Sequence, residues 1–402
     1  MNVTTYEYYR HMYPYAQLVK WLTSQGHALE CFEFAVEAMH MDNRYMRRFQ
    51  TASTPTQLRN VMSMNHPDIQ AIHIGGIWPE AVDRTTKPSQ HIFSIDIDLT
   101  DYDFLDLKGP DGKPSLPKCD RAYPVAAFAV YVLRHLLEHA FGFHQILVCY
   151  SGRRGVHLHA LDKQAVALDA EGRSAAVAFM NVDSFTLKEE RASRWLRTVA
   201  EMYNLINPAM DFFTHTLVGE MGCLNHSDDI RKFVERLQLT HETLATLLED
   251  ASDKEDGPAA WELIRERVAS AGVGWFVHRL QDVVLFYVWP RMDEKVTTDV
   301  GHLVKAPFCA HAKTRRIAVP LGKDEYMKWD PKKAPSLDAW DQDTMNAGLA
   351  LLTVPEPPPF PPPPPPPPEA NMVDVEELVA PAPRPLPRKI GFKRKPSPLV
   401  PN

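Results

Sequence analysis

Apolar and polar residues alternate along residues 93–99, and this pattern predicts a β-strand over Ile92–Leu99. One face of the predicted strand consists of the apolar side chains of Phe93, Ile95, Ile97 and Leu99. The opposite face carries Ser94, Asp96 and Asp98. Two carboxylates on neighbouring positions of one face repel each other unless a cation lies between them, so this face predicts a divalent metal site. A solvent-exposed edge strand is the alternative interpretation.

The same reading along the rest of the chain predicts a mixture of helices and strands. Apolar residues at helical spacing predict helices over Tyr8–Leu22 and Ala126–Ala140. Short apolar or alternating runs predict the strands Ile72–Trp78, Gln145–Tyr150 and Val156–Leu161. Residues 184–288 show mostly helical spacing, and mixed structure returns over Pro290–Leu321. The predicted fold class is therefore α+β, with a mostly helical insert at about 184–288 inside a β-rich core.

The composition changes sharply at Val354. Of the 35 prolines, 19 lie between Pro355 and Pro401, including an unbroken run over 361–368. Such a segment favours extended polyproline II and cannot form a packed core, so we predict a folded domain over 1–354 and a disordered tail over 355–402. Within the tail, the basic residues at 388–389 and 393–395 are compatible with a nuclear import signal or a weak nucleic-acid contact.

Overall composition narrows the class of protein. The chain has 402 residues, of which 45% are hydrophobic, so it is long enough to bury a large core. No run of about 18 apolar residues occurs, and none is expected to span a membrane. The five cysteines show no paired spacing, which favours a reducing compartment. A net charge of −7 excludes a surface that is basic throughout and leaves room for a local basic groove.

The second chemical feature is the segment Ser151-Gly-Arg-Arg-Gly-Val-His157 between two predicted strands. Gly152 and Gly155 permit a tight turn and a close approach of backbone amides to an anion. The side chains of Arg153, Arg154 and His157 add donors of the kind that bind phosphate oxygens. A plain hairpin accounts for the glycines, but it gives no reason for the basic residues.

A third feature lies near residue 300. Lys305 and His311 lie on either side of a proline-containing turn in the segment that begins at Gly301-His302, and Asp293 precedes them in a partly apolar context. Taken singly, Asp293 is typical of a turn or cap residue and Lys305 of a solvated side chain. Taken with the first two features, they supply three carboxylates for divalent ions and a cationic pocket for a triphosphate. Nucleotidyl transfer needs that combination.

The chain resembles the small, catalytic subunit of eukaryotic-type DNA primases, within the archaeo-eukaryotic primase superfamily. The matching segments occur in family order and span roughly residues 6–330. They are Tyr8–Tyr15, Phe93–Asp103, Tyr150–His157, Trp289–Asp293 and His302–Thr314.

The resemblance implies a set of site residues and cofactors. Asp96, Asp98 and Asp293 would bind Mg²⁺ or Mn²⁺. Family members also have a Glu-Phe near the N-terminus at the active site, which Glu33-Phe34 matches here, so Glu33 would be a catalytic residue. Glu37 is a nearby competitor for that role. A Tyr-x-Arg match at Tyr45–Arg47 places Arg47 at the nucleotide. The other residues implied to bind the nucleotide are Ser151, Gly152, Arg153, Arg154, Gly155, His157, His302, Lys305 and His311.

Two departures from the family pattern matter. Family members usually carry a zinc-binding cysteine cluster in the interval that corresponds to Phe104–Arg121, but here it contains only Cys119 and no histidine. One thiolate cannot complete a tetrahedral zinc site, so we predict that the structural zinc is absent. The second departure is His73, where relatives tend to have an acidic residue.

The function implied by the resemblance is DNA-directed synthesis of short RNA primers on single-stranded DNA from ribonucleoside triphosphates. The implied partners are a large, iron–sulfur-containing primase subunit and the replicative DNA polymerase, and the implied location is the nucleus. One alternative is a damage-tolerance primase-polymerase, which commonly carries a Cys/His zinc module after its core. Residues 322–402 contain neither cysteine nor histidine, which disfavours it. The other alternative is a non-catalytic assembly subunit.

Overall fold

We analysed the protein as a computed structural model. It describes residues 3–352 except 42, 65, 182–189, 239–240, 253, 255 and 271–273. These residues belong to one compact unit, Met1–Glu356. The predicted tail, with its basic residues, lies outside the described residues, as does the beginning of the predicted helical insert. The division into a catalytic domain and a disordered tail therefore stays a prediction.

The described strands form two antiparallel sheets of four strands each. The first sheet has the order β2-β1-β3-β7 and the second the order β4-β6-β5-β8. The strand bounds are β1 Phe32–His40, β2 Asn43–Gln50, β3 Ile69–Ile77, β4 Phe93–Asp98, β5 Ile146–Tyr150, β6 Gly155–Ala160, β7 Val304–Lys305 and β8 Pro320–Leu321.

Helices flank both sheets. Their bounds are α1 Thr5–Glu7, α2 Tyr15–Leu22, α3 Pro55–Ser63, α4 Leu116–His139, α5 Lys163–Val166, α6 Ala170–Met180, α7 Glu190–Met202, α8 Ile206–Asp211, α9 Ser227–Arg236, α10 His241–Ser252, α11 Gly257–Ser270, α12 Gly274–Val288, α13 Glu294–Thr298 and α14 Gln342–Leu351. Tyr8–Met12 and Phe212–Glu220 are π-helical. The predicted α+β class is confirmed.

Two apolar clusters organise these elements. In the second sheet, the buried side chains of Phe93, Ile95 and Ile97 pack with helix α4 and with helices of the 190–288 region. In the first sheet, Phe34 and Val36 pack with α2, α3 and residues 304–319. The alternation in β4 therefore leaves Asp96 and Asp98 on the face of the second sheet that points away from α4.

Two predicted helices differ from the structure. The predicted helix Tyr8–Leu22 is interrupted at Tyr13–Pro14, because proline has no N–H to continue the hydrogen-bond ladder. Helix α4 begins ten residues before the predicted start at Ala126. Its Pro124 suggests a break in the sequence, but burial of the surrounding side chains keeps the helix continuous through it. No helix among the described residues is long and apolar enough to span a bilayer.

Candidate active site

Asp96 and Asp98 lie at the end of β4, where their half-buried side chains face a pocket. Asp96 is opposite His157 in the β4–β6 ladder, and Asp98 is opposite Gly155. The Asp98 Oδ2 atom accepts a hydrogen bond of 2.8 Å from Arg154 Nε, and its Oδ1 atom accepts one of 2.9 Å from the backbone N–H of Thr100. Asp98 is thus fixed on both sides.

Asp293 is brought beside Asp96 by a backbone contact. Its N–H donates to the Asp96 carbonyl oxygen at 3.2 Å, and its Oδ1 atom caps α13 by accepting from Lys295 N at 3.0 Å. Burial, together with the negative charges of Asp98 and Asp293, raises the pKa of Asp96 to about 7.

The donor chemistry of these three carboxylates fits a divalent cation. Oxygen ligands are those that Mg²⁺ and Mn²⁺ prefer, and a cation would relieve the repulsion that raises the Asp96 pKa. Within the described ranges no three His, Cys, Asp or Glu side chains are already grouped closely enough to hold an ion. The fit therefore rests on charge and ligand type and not on preformed coordination.

The turn between β5 and β6 is shaped by Ser151 and two glycines. Ser151 Oγ accepts from the N–H of Gly155 at 3.0 Å, so this hydroxyl holds the turn together. Gly152 has φ +86°, a conformation that other residues rarely adopt. A Cβ on Gly155 would lie 2.0 Å from the Ile97 carbonyl oxygen, so only glycine permits β6 to lie this close to β4.

The basic side chains of this turn differ in their partners. Arg154 is held by Asp98, as described above. Arg153 has no carboxylate within ion-pair distance among the described residues, although it also lines the pocket. Its charge is therefore available to an anionic ligand.

His157 and His311 of the pocket are neutral donors and acceptors. Burial and the nearby Lys305 lower the pKa of both His157 and His311 to about 3. The Nδ1 atom of His311 accepts from the backbone N–H of Lys313 at 3.2 Å, so the proton of this ring resides on Nε2. His311 therefore has one N–H left to donate to a ligand.

The pocket has a volume of about 270 Å³ and lies between the two sheets. Eight of the residues that we expect at the nucleotide line it, as do Asp96 and Asp98. These eight are Ser151, Arg153, Arg154, Gly155, His157, His302, Lys305 and His311. Gly152 belongs to the same turn but does not line the pocket, and neither does Asp293, which is linked to the site by its contact with the Asp96 carbonyl oxygen.

The N-terminal tyrosines hold the segment that contains Lys305 and His311. Tyr8 donates to the Phe308 carbonyl oxygen at 2.7 Å, and Tyr13 donates to that of Pro307 at 2.8 Å. The N–H of Ala310 donates to the hydroxyl of Tyr9 at 3.1 Å. Phe308 has φ +64°, and these contacts fix the backbone around it.

Glu33 and Arg47 lie outside the pocket lining. Glu33 is fully buried and bonded to Arg48, whose Nε and Nη2 atoms donate to its two carboxylate oxygens at 2.8 and 3.0 Å. Arg48 also donates to the Gly301 carbonyl oxygen at 2.9 Å, next to His302. Arg47 is exposed on β2. Of the two neighbouring arginines on β2, it is therefore Arg48, and not the predicted Arg47, that connects with the site. Both side chains are basic, so the residue type alone did not distinguish them.

His73, Ser94 and His159 line the pocket without having been predicted as site residues. His73 lies opposite Lys305 in the β3–β7 ladder and bonds Glu37 at 3.0 Å. Ser94 bonds His159 across the β4–β6 ladder at 2.9 Å. Alternation along β4 and β6 carries the signal for Ser94 and His159, since they fall on the same faces as Asp96 and His157. For His73 the sequence gives no such signal, because only the pairing of β3 with β7 places it beside Lys305. Cys119 is buried in α4, and the absence of structural zinc stays a prediction.

Carboxylates that face basic side chains across one pocket are typical of a nucleotidyltransferase. Residues 95–322, more than half of the chain, match the family of the DNA primase small subunit. The chain belongs to this family, the catalytic primases.

Several relatives carry that description. The chain is 27% identical to a DNA primase small subunit of Schizosaccharomyces pombe, over 83% of this chain and 76% of the relative. It is 25% identical to the DNA primase small subunit of Drosophila melanogaster, over 82% and 78%. An archaeal DNA primase small subunit PriS, from Halorubrum lacusprofundi, is 26% identical over 60% of this chain and 59% of its own.

Proposed function

We propose that this chain synthesises short RNA primers on single-stranded DNA, starting from two ribonucleoside triphosphates. The observation that carries the proposal is the pocket in which Asp96 and Asp98 face Arg153, Lys305 and His311. A triphosphate and a divalent cation are the ligands that satisfy both groups of charges together. Membership of the catalytic primase family supports the same reaction.

In this proposal the carboxylates of Asp96, Asp98 and Asp293 hold Mg²⁺ or Mn²⁺. When bound, such an ion activates the attacking 3′-hydroxyl and stabilises charge on the leaving pyrophosphate. The chain's own contribution on this side is to keep the half-buried Asp96 and Asp98 and the exposed Asp293 close together, against their mutual repulsion.

The opposite side of the pocket binds the triphosphate. The backbone amide at Gly152 and the guanidinium of Arg153 donate to phosphate oxygens, while Gly155 allows the turn to form. Lys305 adds a positive charge from β7. The His311 Nε2–H and the neutral ring of His157 complete the pocket without adding charge, because their pKa values lie near 3.

Three further residues complete the proposal. His302 lines the pocket beside the carboxylates. Glu33 acts indirectly, since it holds Arg48 and, through Arg48, the backbone at Gly301. Arg47, on the exposed strand β2, contacts the nucleotide or the template only if these extend beyond the pocket.

By membership of the family we also propose a large primase subunit and a replicative polymerase as partners, single-stranded DNA as template, and a nuclear location. The relatives from fungi and animals support the location, although archaeal relatives also match the chain.

The test is dinucleotide synthesis by the full chain on a single-stranded DNA template with Mn²⁺, with and without a large subunit. We expect product from ribonucleoside triphosphates and none from the Asp96→Ala/Asp98→Ala double variant. Asp106→Asn is the matched control, because this carboxylate is exposed, pairs with Lys118 and does not line the pocket.

Two results would contradict the proposal. Undiminished synthesis by the double variant would remove the carboxylates from the mechanism. A preference for deoxyribonucleoside triphosphates would instead favour a primase-polymerase.

A further inference from the structure

Two buried arginines lie near the two ends of the segment that carries Asp293. Arg291 precedes this residue by two positions and is 7% exposed, whereas Arg173 on α6 is fully buried. Among the described residues no carboxylate lies within ion-pair distance of Arg173. Burying such a cation costs free energy, which the hydrogen bonds from Arg173 to backbone carbonyl oxygens, including those of Leu168 and His91, offset.

Arg291 connects the Asp293 segment with the end of β4. Its Nη1 atom donates to the Asp101 carbonyl oxygen and to Asp103 Oδ1, both at 2.9 Å. Its guanidinium lies 5.4 Å from the ring centre of Tyr102 and 5.1 Å from that of Phe286. Residues 101–103 follow β4 after the short turn that begins at Leu99, so Arg291 fixes the segment to the chain a few residues beyond Asp98.

Arg173 makes the corresponding connection at the beginning of β4. Its Nη1 atom donates to the carbonyl oxygens of Ile92 at 3.5 Å and Thr297 at 3.3 Å. Its guanidinium lies 5.6 Å from the ring centre of Phe93. Thr297 adds a second connection, since its hydroxyl donates to the Ser94 carbonyl oxygen at 2.8 Å. The end of α13 is thereby joined to the strand before Asp96.

Between these two connections lies the contact of the Asp293 N–H with the Asp96 carbonyl oxygen. The segment 291–297 is therefore connected to β4 or to the residues that flank it at three positions, which are Arg291, Asp293 and Thr297. Three carboxylates of like charge would otherwise drive this segment away from β4 in the absence of a cation.

We propose that Arg173 and Arg291 are positioning residues, which hold Asp293 beside Asp96 and Asp98 before a divalent cation binds. This inference rests on the proposed function, in which those carboxylates bind the ion. Both arginines act through the backbone of the Asp293 segment and touch neither nucleotide nor cation. They therefore determine the affinity for the ion more than the affinity for the triphosphate.

The test is titration of the full chain with Mn²⁺ in the absence of nucleotide. We expect Arg173→Met and Arg291→Met each to weaken Mn²⁺ binding by about tenfold, as loss of groups that orient metal ligands usually does. Excess Mn²⁺ should restore much of kcat, and KM for the nucleotide should change little. Arg291→Lys keeps the charge and one donor, so it should show a smaller loss and remain folded if the methionine variant does not.

Arg279→Met is the matched control. Arg279 is also buried, and it donates to the carbonyl oxygens of Leu237 and Arg236 within the helical region. Its loss should lower the melting temperature and leave Mn²⁺ affinity unchanged.

A double-mutant cycle with Asp293→Asn decides whether the arginines act through Asp293. In the Asp293→Asn background, the arginine substitutions should have no further effect on Mn²⁺ affinity. Unchanged affinity in the arginine variants, or an equal loss in both backgrounds, would overturn the inference alone. If Asp293→Asn itself left both Mn²⁺ affinity and primer synthesis intact, the carboxylate set of the proposed function would be wrong instead.

Discussion

Strands β1 and β4 each present two carboxylates on one polar face, and the two strands use them in opposite ways. On β1, Glu33 and Glu37 are buried, and both are paired: Glu33 with Arg48, and Glu37 with Arg44 and His73. On β4, Asp96 and Asp98 are about one-third exposed. Asp98 has Arg154 as a partner. The side chain that lies 3.5 Å from Asp96 is His157, which is neutral because its pKa is lowered to about 3.

The electrostatics of the two strands follow from these partners. Burial alone would raise the pKa of Glu37, but the hydrogen bonds and charges of His73 and Arg44 lower it below its usual value. The pKa of Asp96 is instead raised to about 7, because burial and neighbouring carboxylates act in the same direction. A carboxylate with complete partners stabilises the fold, whereas one without them is available to a ligand.

The largest expected effect comes from removing the charge on β4. Asp96→Asn should lower the rate of primer synthesis about a thousandfold, which corresponds to about 4 kcal/mol of lost transition-state stabilisation. The melting temperature should not fall, since the substitution removes repulsion from Asp98 and Asp293. Steady-state kinetics and thermal melting of the same sample measure both quantities. A fall in both together would mean that Asp96 is a structural residue like Glu33.

The corresponding substitution on β1, at Glu33, should mainly lower the free energy of unfolding. Glu33→Gln removes a buried charge that accepts hydrogen bonds from Arg48 and the Phe49 N–H, which should cost about 2 kcal/mol of unfolding free energy. Urea denaturation measures this difference. Glu37→Gln is the control and should cost less, because one of its two partners, Arg44, is 66% exposed. Loss of synthesis by Glu33→Gln with unchanged stability would make Glu33 a direct participant in catalysis.

The smallest expected effect is a pH dependence that only β4 should show. With a pKa of about 7 in the free protein, Asp96 takes up a proton as the pH falls below 7, and a cation must displace it. Mn²⁺ affinity should therefore be constant above pH 7 and fall about tenfold per pH unit below it. Titrations at pH 8, 7 and 6 test this dependence.

Asp96→Asn should weaken the binding and flatten its pH profile. His157 and His311 stay neutral throughout this range, since their pKa values lie near 3. An equal affinity at pH 8 and pH 6 in the unmodified chain would show that Asp96 is ionised before the metal binds.

The sequence was sufficient for the parts of the site that lie close together in the chain. Strict alternation identified the strand of Asp96 and Asp98, and the glycines with Arg153 and Arg154 identified the turn. Both features depend on local periodicity and backbone conformation, which neighbouring residues determine. The α+β class follows from the same local patterns.

Only the tertiary structure decided which polar residues are already paired and which are available. Glu33 and Asp96 are both acidic residues in apolar strands, and their difference depends on Arg48, which arrives from the neighbouring strand β2. The contacts of Tyr8 with Phe308, of Arg173 with Thr297 and of Arg291 with Asp101 join residues more than 100 positions apart. No periodicity records such contacts, because they arise when sheets and helices pack. The sequence by itself thus determined the chemical groups of this primase, and the packing determined which of them remain free to react.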